Sequence, residues 1–235
     1  MGARKIRDIE YHLLGGSERS TTDIVIERDG TICVRPPITM TPEQVDSIIE
    51  NKRMWIYKNL AEWRELNAMR TVREWKSGES FLYLGRNYRL GFNDTQNTPL
   101  VFKENRFYLN RSLIENDGEI ALRNAFIEFY IQKGIERLQK RVTYFAPKVG
   151  VQSGKISVKE LGFRWASCSS NGNIAFHWKC MMAPPKIIDY IIVHELCHLH
   201  QRDHNVAFWN EVDKVMPDYI ERKEWLRING ASLDL

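Results

Sequence analysis

The segment from His194 to His198 constrains the fold of this chain most strongly, because it reads His-Glu-Leu-Cys-His. Four residues make about one turn of an α-helix, so two histidines at this spacing lie one above the other on the same face. Their ring nitrogens can then reach a single tetrahedral cation roughly 2.0–2.1 Å away. Glu195 lies about 100° around the helix from His194, where it borders such a cation without binding it. The segment therefore predicts a helix with a zinc site, in which Glu195 accepts a proton from an activated water.

The residues before this segment also predict a helix. An apolar run from Ile187 to Val193 leads into it, and Pro184 and Pro185 stand where a helix can begin. Apolar side chains fall on the side opposite the two histidines, so one face is expected to be buried while the other carries the chemistry. A core helix whose histidines form local hydrogen bonds is the alternative interpretation.

His204 is the candidate for a third metal ligand. It follows His198 by six residues, after a polar stretch that suits the end of a helix and a turn of the chain. His200 is only two residues beyond His198, so it would project some 200° away if the helix continued. Three other side chains could supply a ligand atom and remain rivals of His204: Cys197, Asp203 and Glu211.

Further motifs accompany the histidine pair, and together they resemble a known family. They are residues 163–178 (FRWASCSSNGNIAFHW), 182–190 (MAPPKIIDY), 204–209 (HNVAFW) and 217–219 (PDY). The chain resembles the YgjP-like metallopeptidase family over nearly its whole length, and is more distantly similar to the WLM and SprT-like zinc proteases. The resemblance implies one zinc ion bound by His194, His198 and His204, with Glu195 as the catalytic base. Metzincins share the histidine spacing but have glycine where this chain has Gln201, so their tight turn is not expected here.

The resemblance also implies a strand that binds substrate. Residues 174–178 have strand character after a turn at 170–173, and residues 156–158 are a plausible partner strand. In zincin-like proteases an edge strand beside the metal helix pairs with an extended peptide. This role is implied here for four residues: Trp165, Asn173, Ala175 and His177. An ordinary hairpin packed on the helix is the alternative.

Composition is that of a globular protein of 235 residues, with 43% apolar and 27% charged residues. No apolar run approaches the ~20 residues that cross a bilayer, and residues 1–7 lack the apolar core of a signal peptide. We therefore expect a cytoplasmic protein without a membrane segment. The four scattered cysteines are expected to be free thiols. A net charge of +4 is compatible with weak association with nucleic acid but does not require it.

The order of predicted elements indicates an α+β fold. Short strands precede a helix that begins after Thr41 and extends to about Leu66, and two hairpins follow within residues 81–109. A long helix from Glu119 to about Tyr144, a hairpin, the metal helix and terminal helices complete the order. We predict a zincin-like catalytic domain in which a mostly antiparallel sheet lies beside the active-site helix, preceded by a β-rich N-terminal region. The predicted division is 1–117 for the hairpin and helix region and 118–235 for the metal-binding region, with one continuous domain as the alternative.

The predicted function is a zinc-dependent metallopeptidase that hydrolyses peptide bonds of a peptide or protein substrate through a metal-activated water. A metal-dependent nucleotide hydrolase that attacks a phosphoanhydride is one alternative, although no Gly-rich phosphate loop is evident. A non-catalytic, zinc-stabilised binding module is another. Glu195 argues against that module, because structural zinc sites fill four ligand positions and leave no role for a base.

Overall fold

The computed structural model describes residues 2–16, 21–27, 30–68, 73–110, 112, 114–162 and 164–235, without the side chains of 66–68 and 114–117. The chain divides into two compact units, residues 1–70 and 71–235. The predicted boundary after residue 117 lies inside the second unit, because strands between residues 80 and 109 share their core with the helix that follows them. Mixed helices and mostly antiparallel strand pairs make up the described part of the chain, which confirms the α+β fold.

The first unit contains a four-stranded sheet and two helices. Strands β1 (Gly2–Ile6), β2 (Ile9–Leu13), β3 (Asp23–Ile26) and β4 (Ile32–Arg35) lie in the order β1-β2-β4-β3. Short strands were expected here, and β3 and β4 form an antiparallel pair; residues 28 and 29 between them lie outside the described residues. Alternate residues of β2 and β4, such as Tyr11 and Val34, point into a small core.

The helical part of the first unit begins as expected. Thr41 caps helix α1 (Pro42–Asn51) by accepting a hydrogen bond from the backbone of Gln44, whose side chain accepts one from Thr41 in return. One helix to about Leu66 was expected, whereas the structure separates α1 from α2 (Arg53–Ala68) at Lys52.

A second four-stranded sheet opens the second unit and repeats the strand order of the first. Strands β5 (Ser80–Tyr83), β6 (Arg86–Phe92), β7 (Leu100–Lys103) and β8 (Arg106–Leu109) lie in the order β5-β6-β8-β7. Both predicted hairpins are confirmed as antiparallel pairs. They are joined by parallel pairing of their second strands, β6 and β8, as the hairpins of the first sheet are joined by β2 and β4.

A long helix, α3 (Ile114–Val149), covers one face of this sheet. Gly118 has a non-helical backbone (φ 62°, ψ −151°), so the continuous helix runs from Glu119 as predicted. Its apolar face packs on the sheet, where the rings of Phe126 and Phe81 stack at 4.3 Å. The Tyr130 hydroxyl donates a 2.6 Å hydrogen bond to the carbonyl of Leu82.

The third sheet lies beside the helix that carries the histidine pair. Strands β9 (Ile156–Lys159), β10 (Ala166–Cys168) and β11 (Ile174–His177) have the order β10-β11-β9, with β11 antiparallel to β10 and parallel to β9. A 3-10 helix (Trp178–Met182) connects this sheet to α4 (Pro185–Cys197). Helices α5 (Val206–Val215) and α6 (Tyr219–Asn229) complete the unit. None of the described helices combines the length and apolar character of a membrane span.

Candidate metal centre

Helix α4 begins at the predicted prolines, with Pro184 as N-cap and Pro185 as first residue. It is buried over much more of its surface than the single face that the sequence predicted, because α3, β10, α5 and α6 surround it. Arg141 of α3 fixes its outer side through two hydrogen bonds, 2.8 and 2.7 Å long, to the Asp189 carboxylate. The helix therefore offers the histidines a rigid base.

His194 lies in the last turn of α4, and His198 follows its last residue. The backbone of His198 keeps helical angles (φ −65°, ψ −15°), so its ring remains one turn beyond that of His194. The two ring centroids are 4.9 Å apart and nearly perpendicular. The two histidines therefore lie on the same face of the helix, as the four-residue spacing predicted.

The loop between α4 and α5 brings His204 to the same place. One ring nitrogen from each of His194, His198 and His204 lies within 4.8 Å of the other two, and among the described residues this is the group that could hold a metal ion. The Nε2 atoms of His194 and His204 are 2.9 Å apart. Glu211, the rival ligand on α5, forms a 2.6 Å ion pair with Lys214 instead.

The protonation of His194 suits metal binding, which requires a neutral ring. Burial, followed by the neighbouring His198 and His204, lowers the pKa of His194 to about 3. His198 donates a 3.1 Å hydrogen bond from Nδ1 to the carbonyl of Gln201, since a carbonyl can only accept. The lone pair of His198 is therefore on Nε2, and a carbonyl partner of this kind orients a metal-binding histidine.

His194 gives a second indication that the group fits a metal. Its Nδ1 atom is buried and has no hydrogen-bond partner among the described residues, while its Nε2 faces another imidazole. In a neutral ring whose proton is on Nδ1, Nε2 carries the lone pair that can bind a cation. A zinc ion is a fitting ligand for this donor set of three imidazoles.

Glu195 follows His194 on α4 and interacts with groups on and just before β10. Its side chain is nearly buried, with 6% of the residue exposed. Burial raises the pKa of Glu195 to about 8, and the positive charge of Arg164 acts in the opposite direction. Burial also raises the pKa of the Cys168 thiol on β10, and the charge of Glu195 adds to this shift. The carboxylate therefore lies close enough to Cys168 of β10 for its charge to act on that thiol.

Phe208 has a larger role than the sequence indicated. In the sequence it is one of the apolar residues that follow His204, which suits a core position. In the structure its ring is fully buried and lies 4.9, 4.6 and 4.8 Å from the rings of His194, His198 and His204, in that order. Its position one turn into α5, after the histidine loop, was the signal in the sequence.

A second aromatic group extends from His204 toward α6. Trp209 stacks at 5.8 Å on His204 and at 5.3 Å on Tyr219. The ammonium group of Lys223 lies 4.2 Å from the centre of the Trp209 ring, a cation–π contact. The charge of Lys223 contributes to the lowered pKa of His194, so this cation lies at the margin of the candidate metal centre.

The remaining histidine and cysteines near α4 have other positions. His200 donates from Nε2 to the carbonyl of Val149 at the end of α3, away from the three-histidine group, as its spacing predicted. Cys197 is fully buried, and burial raises the pKa of its thiol to about 12, which suits a small core residue. All four cysteines are free thiols, as expected.

The four residues assigned to substrate binding have different positions in the third sheet. Ala175 and His177 belong to β11, the middle strand, which pairs on both sides. His177 is 2% exposed, and its Nδ1 accepts a hydrogen bond from the backbone N–H of Lys179. Its Nε2 lies 2.6 Å from a carboxylate oxygen of Glu160. His177 is therefore buried beside Glu160, and β11 is the middle strand, not the edge strand that the substrate role assumed.

Trp165 and Asn173 lie at the two ends of the hairpin formed by β10 and β11. The carbonyl of Trp165 accepts hydrogen bonds from the backbone of His177 and from the Cys180 thiol. The Asn173 side chain accepts one from the backbone of Lys155. The edge strands of this sheet are β10 and β9, and β10 is the one that contacts α4.

An α+β unit in which a loop histidine joins two helical histidines, with a buried carboxylate on the same helix, is typical of metal-dependent hydrolases. The YgjP-like metallopeptidase domain matches residues 20–229, so the chain belongs to that family. No match was found among curated proteins. A solved structure of the metallopeptidase zymogen of Pyrococcus abyssi abylysin is 26% identical over 40% of this chain and 92% of that one, with a TM-score of 0.36.

Proposed function

We propose that this chain is a zinc-dependent peptidase in which His194, His198 and His204 bind one zinc ion and Glu195 is the general base. The observation that carries the proposal is the convergence of three imidazole nitrogens within 4.8 Å, with the buried carboxylate of Glu195 next in sequence to His194 on α4. Membership of the metallopeptidase family favours a peptide bond over a phosphoanhydride as the bond that is cleaved. It also favours an enzyme over a binding module.

The three imidazoles would bind zinc as neutral ligands and leave one position for solvent. The chemistry that zinc supplies when bound in this way is polarisation of the scissile carbonyl and a lower pKa, about 7, for the attacking water. Phe208 holds the three rings against one buried surface. The Gln201 carbonyl fixes the tautomer of His198.

Glu195 would remove a proton from the attacking water and return it to the departing amine. Its place one residue after His194 puts the carboxylate beside the metal ligands without making it one of them. The positive charge of a bound metal would oppose the rise in its pKa that burial causes. Arg164, whose charge also favours the ionised form, lies just before β10.

We infer that an extended peptide adds to the exposed edge of β10. In the antiparallel pair with β11, Trp165 faces His177 and Ser169 faces Asn173 through backbone hydrogen bonds. Because bonded and non-bonded positions alternate, the N–H and C=O groups of Ala166 and Cys168 point away from β11. A substrate strand on that side would run past the carboxylate of Glu195.

The experiment compares Glu195→Gln with the matched variant Glu211→Gln. Both are expected to fold and to bind one zinc ion per chain. Glu195→Gln should lower turnover of a mixed peptide library by at least about 100-fold, because a general base contributes that much or more. Glu211→Gln should retain turnover.

Each proposed role has an outcome that contradicts it. Unchanged turnover in Glu195→Gln excludes that residue as the base, and loss of zinc in Glu211→Gln excludes the proposed ligand set. Wild-type protein is also incubated with nucleoside triphosphates in parallel. Hydrolysis of these without cleavage of any peptide would overturn the peptidase proposal.

A further inference from the structure

A row of positive charges crosses the sheet formed by β5 to β8. Arg89 of β6 is directly opposite Arg106 of β8, and Arg106 is directly opposite Lys103 of β7. Residues opposite one another on neighbouring strands project from the same face of a sheet. With strands about 4.8 Å apart, the three positions span roughly 10 Å across the sheet.

This face is the one that α3 does not cover. The alternate residues Phe81, Leu90 and Phe107 point to the core on the α3 side, whereas Arg89, Lys103 and Arg106 are exposed to solvent. The four strands contain no Asp or Glu. Lys103 is 3.5 Å from the carboxylate of Glu104, in the turn after β7, with both groups exposed. Arg89 and Arg106 form no ion pair with any described residue.

Like charges directly opposite one another destabilise a sheet. The fold could relieve this repulsion with a carboxylate on β6 or β8, as Asp189 neutralises Arg141 on α3. Since the row has no such partner within the described part of the sheet, an external polyanion is the group that would stabilise it.

An aromatic ring lies beside the cations on the same face. Tyr108 is two residues beyond Arg106, and its half-buried ring lies over Gly91 of β6. A β-carbon on Gly91 would lie 3.2 Å from two atoms of that ring and 3.5 Å from the side chain of Arg106. Glycine therefore leaves the room in which the tyrosine ring and the arginine stem lie side by side.

We propose that this face of the β5–β8 sheet binds single-stranded nucleic acid, with phosphates on Arg89, Arg106 and Lys103 and a base stacked on Tyr108. A row of cations next to an aromatic ring is the combination that binds single strands without reading their sequence. An acidic protein segment would use the cations but would gain nothing from the ring. This function is separate from the proposed peptidase chemistry and does not depend on it.

The test measures binding of a fluorescent oligothymidine to the full chain by anisotropy, over a range of salt concentrations. The variant Arg89→Gln/Arg106→Gln is expected to weaken binding at least about tenfold and to reduce the slope of log K against log salt by about 1.4, since each contact with a single strand contributes about 0.7. Tyr108→Leu keeps an apolar side chain over Gly91 and should weaken binding about fivefold or more through lost stacking.

The matched control removes two charges from another basic surface, in Lys133→Gln/Lys140→Gln on α3. This variant should bind like the wild type, because Lys140 already pairs with Glu136 and neither residue lies on the sheet.

An equal loss of binding in both double variants would show attraction to net charge alone and overturn the proposal. So would an absence of binding at about 50 mM salt. Displacement of the oligonucleotide by polyglutamate at equal charge, with no effect of Tyr108→Leu, would identify an acidic protein as the ligand instead. Thermal melting of each variant establishes that the sheet is intact.

Discussion

Two parts of the chain supply the three imidazoles, and they hold their histidines in different ways. His194 and His198 belong to α4, whose side chains are buried among three other helices and a sheet. His204 belongs to a loop and is itself exposed. The first pair is therefore positioned by the core, whereas the third imidazole depends on a few local contacts.

The local contacts of His204 are identifiable. The side chain of Asn205 caps α5 by accepting a 2.9 Å hydrogen bond from the backbone of Phe208, which fixes where the loop ends. The ring of Phe208 then contacts all three imidazoles. In such a site the helix holds two ligands in place and the loop positions the third. Substitutions in the helix and in the loop should therefore change zinc affinity by different amounts.

Removal of a histidine ligand from either the helix or the loop should lower zinc affinity more than any other substitution considered. In His204→Ala, two imidazoles remain at fixed spacing on α4, whereas His198→Ala leaves two on separate elements. We expect zinc affinity to fall at least about 100-fold in both variants, and further in His198→Ala. Zinc titration against a competing chelator measures this. The opposite order would mean that the loop, not the helix, is the preorganised part.

Phe208→Ala should affect both parts together. Loss of a fully buried ring is expected to lower the free energy of unfolding by about 3–5 kcal/mol. Zinc affinity should fall by about 10- to 100-fold, since the surface that orients all three imidazoles is removed. Val212→Ala is the matched control, because Val212 is buried on the same helix but has no ring contact with the histidines. If both variants weaken zinc binding equally, general loss of stability and not the Phe208 contact explains the effect.

The sequence was informative where the relevant contacts are local. The spacing of His194 and His198, the capping residue Thr41 and the hairpins of β5 to β8 all depend on residues a few positions apart, and the structure has each of them. The approach of His204 to the pair needed the path of a loop. The sequence therefore named this residue while leaving Glu211 as a rival, and only the coordinates separate the two.

Contacts between distant segments could not be predicted in the same way. The parallel pairing of β6 with β8 leaves no local pattern, and neither does the middle position of β11, because both depend on strands that are not neighbours in the chain. The substrate role expected for Ala175 and His177 followed from treating their strand as an edge. Phe208 was recognised as a core residue, but its contact with all three rings depends on where α5 packs.

The contact of Gly85 with Pro184, at the start of α4, contributes to the stability of the fold. Gly85 lies in the turn between β5 and β6 with φ +77°, and a β-carbon there would lie 2.8 Å from the Cα of Pro184. Its backbone N–H donates to the carbonyl of Met182, just before α4. Gly85→Ala should lower the free energy of unfolding by about 3 kcal/mol, from the left-handed backbone and the close contact together.

Gly78→Ala is the control that separates the cost of the left-handed backbone from the cost of the close contact. The free energy of unfolding of both alanine variants is measured by chemical denaturation. Gly78 also has a positive φ (+88°), but a β-carbon there would meet no atom within 4 Å. We expect a loss of about 1–2 kcal/mol from the backbone alone. Equal losses in the two alanine variants would mean that the turn does not hold the start of α4.

The smallest effect should come from the cap that ends the histidine loop. Asn205→Ala removes the acceptor for the Phe208 backbone and is expected to lower the free energy of unfolding by about 1 kcal/mol. Zinc affinity should fall by more than this small loss of stability would suggest, because the first turn of α5 positions both His204 and Phe208. Asn205→Asp retains an acceptor and suits the positive end of the helix, so it should behave like the wild type in both measurements. Zinc affinity that stays unchanged in Asn205→Ala, despite the lost stability, would show that the ring of Phe208 positions His204 without help from the cap.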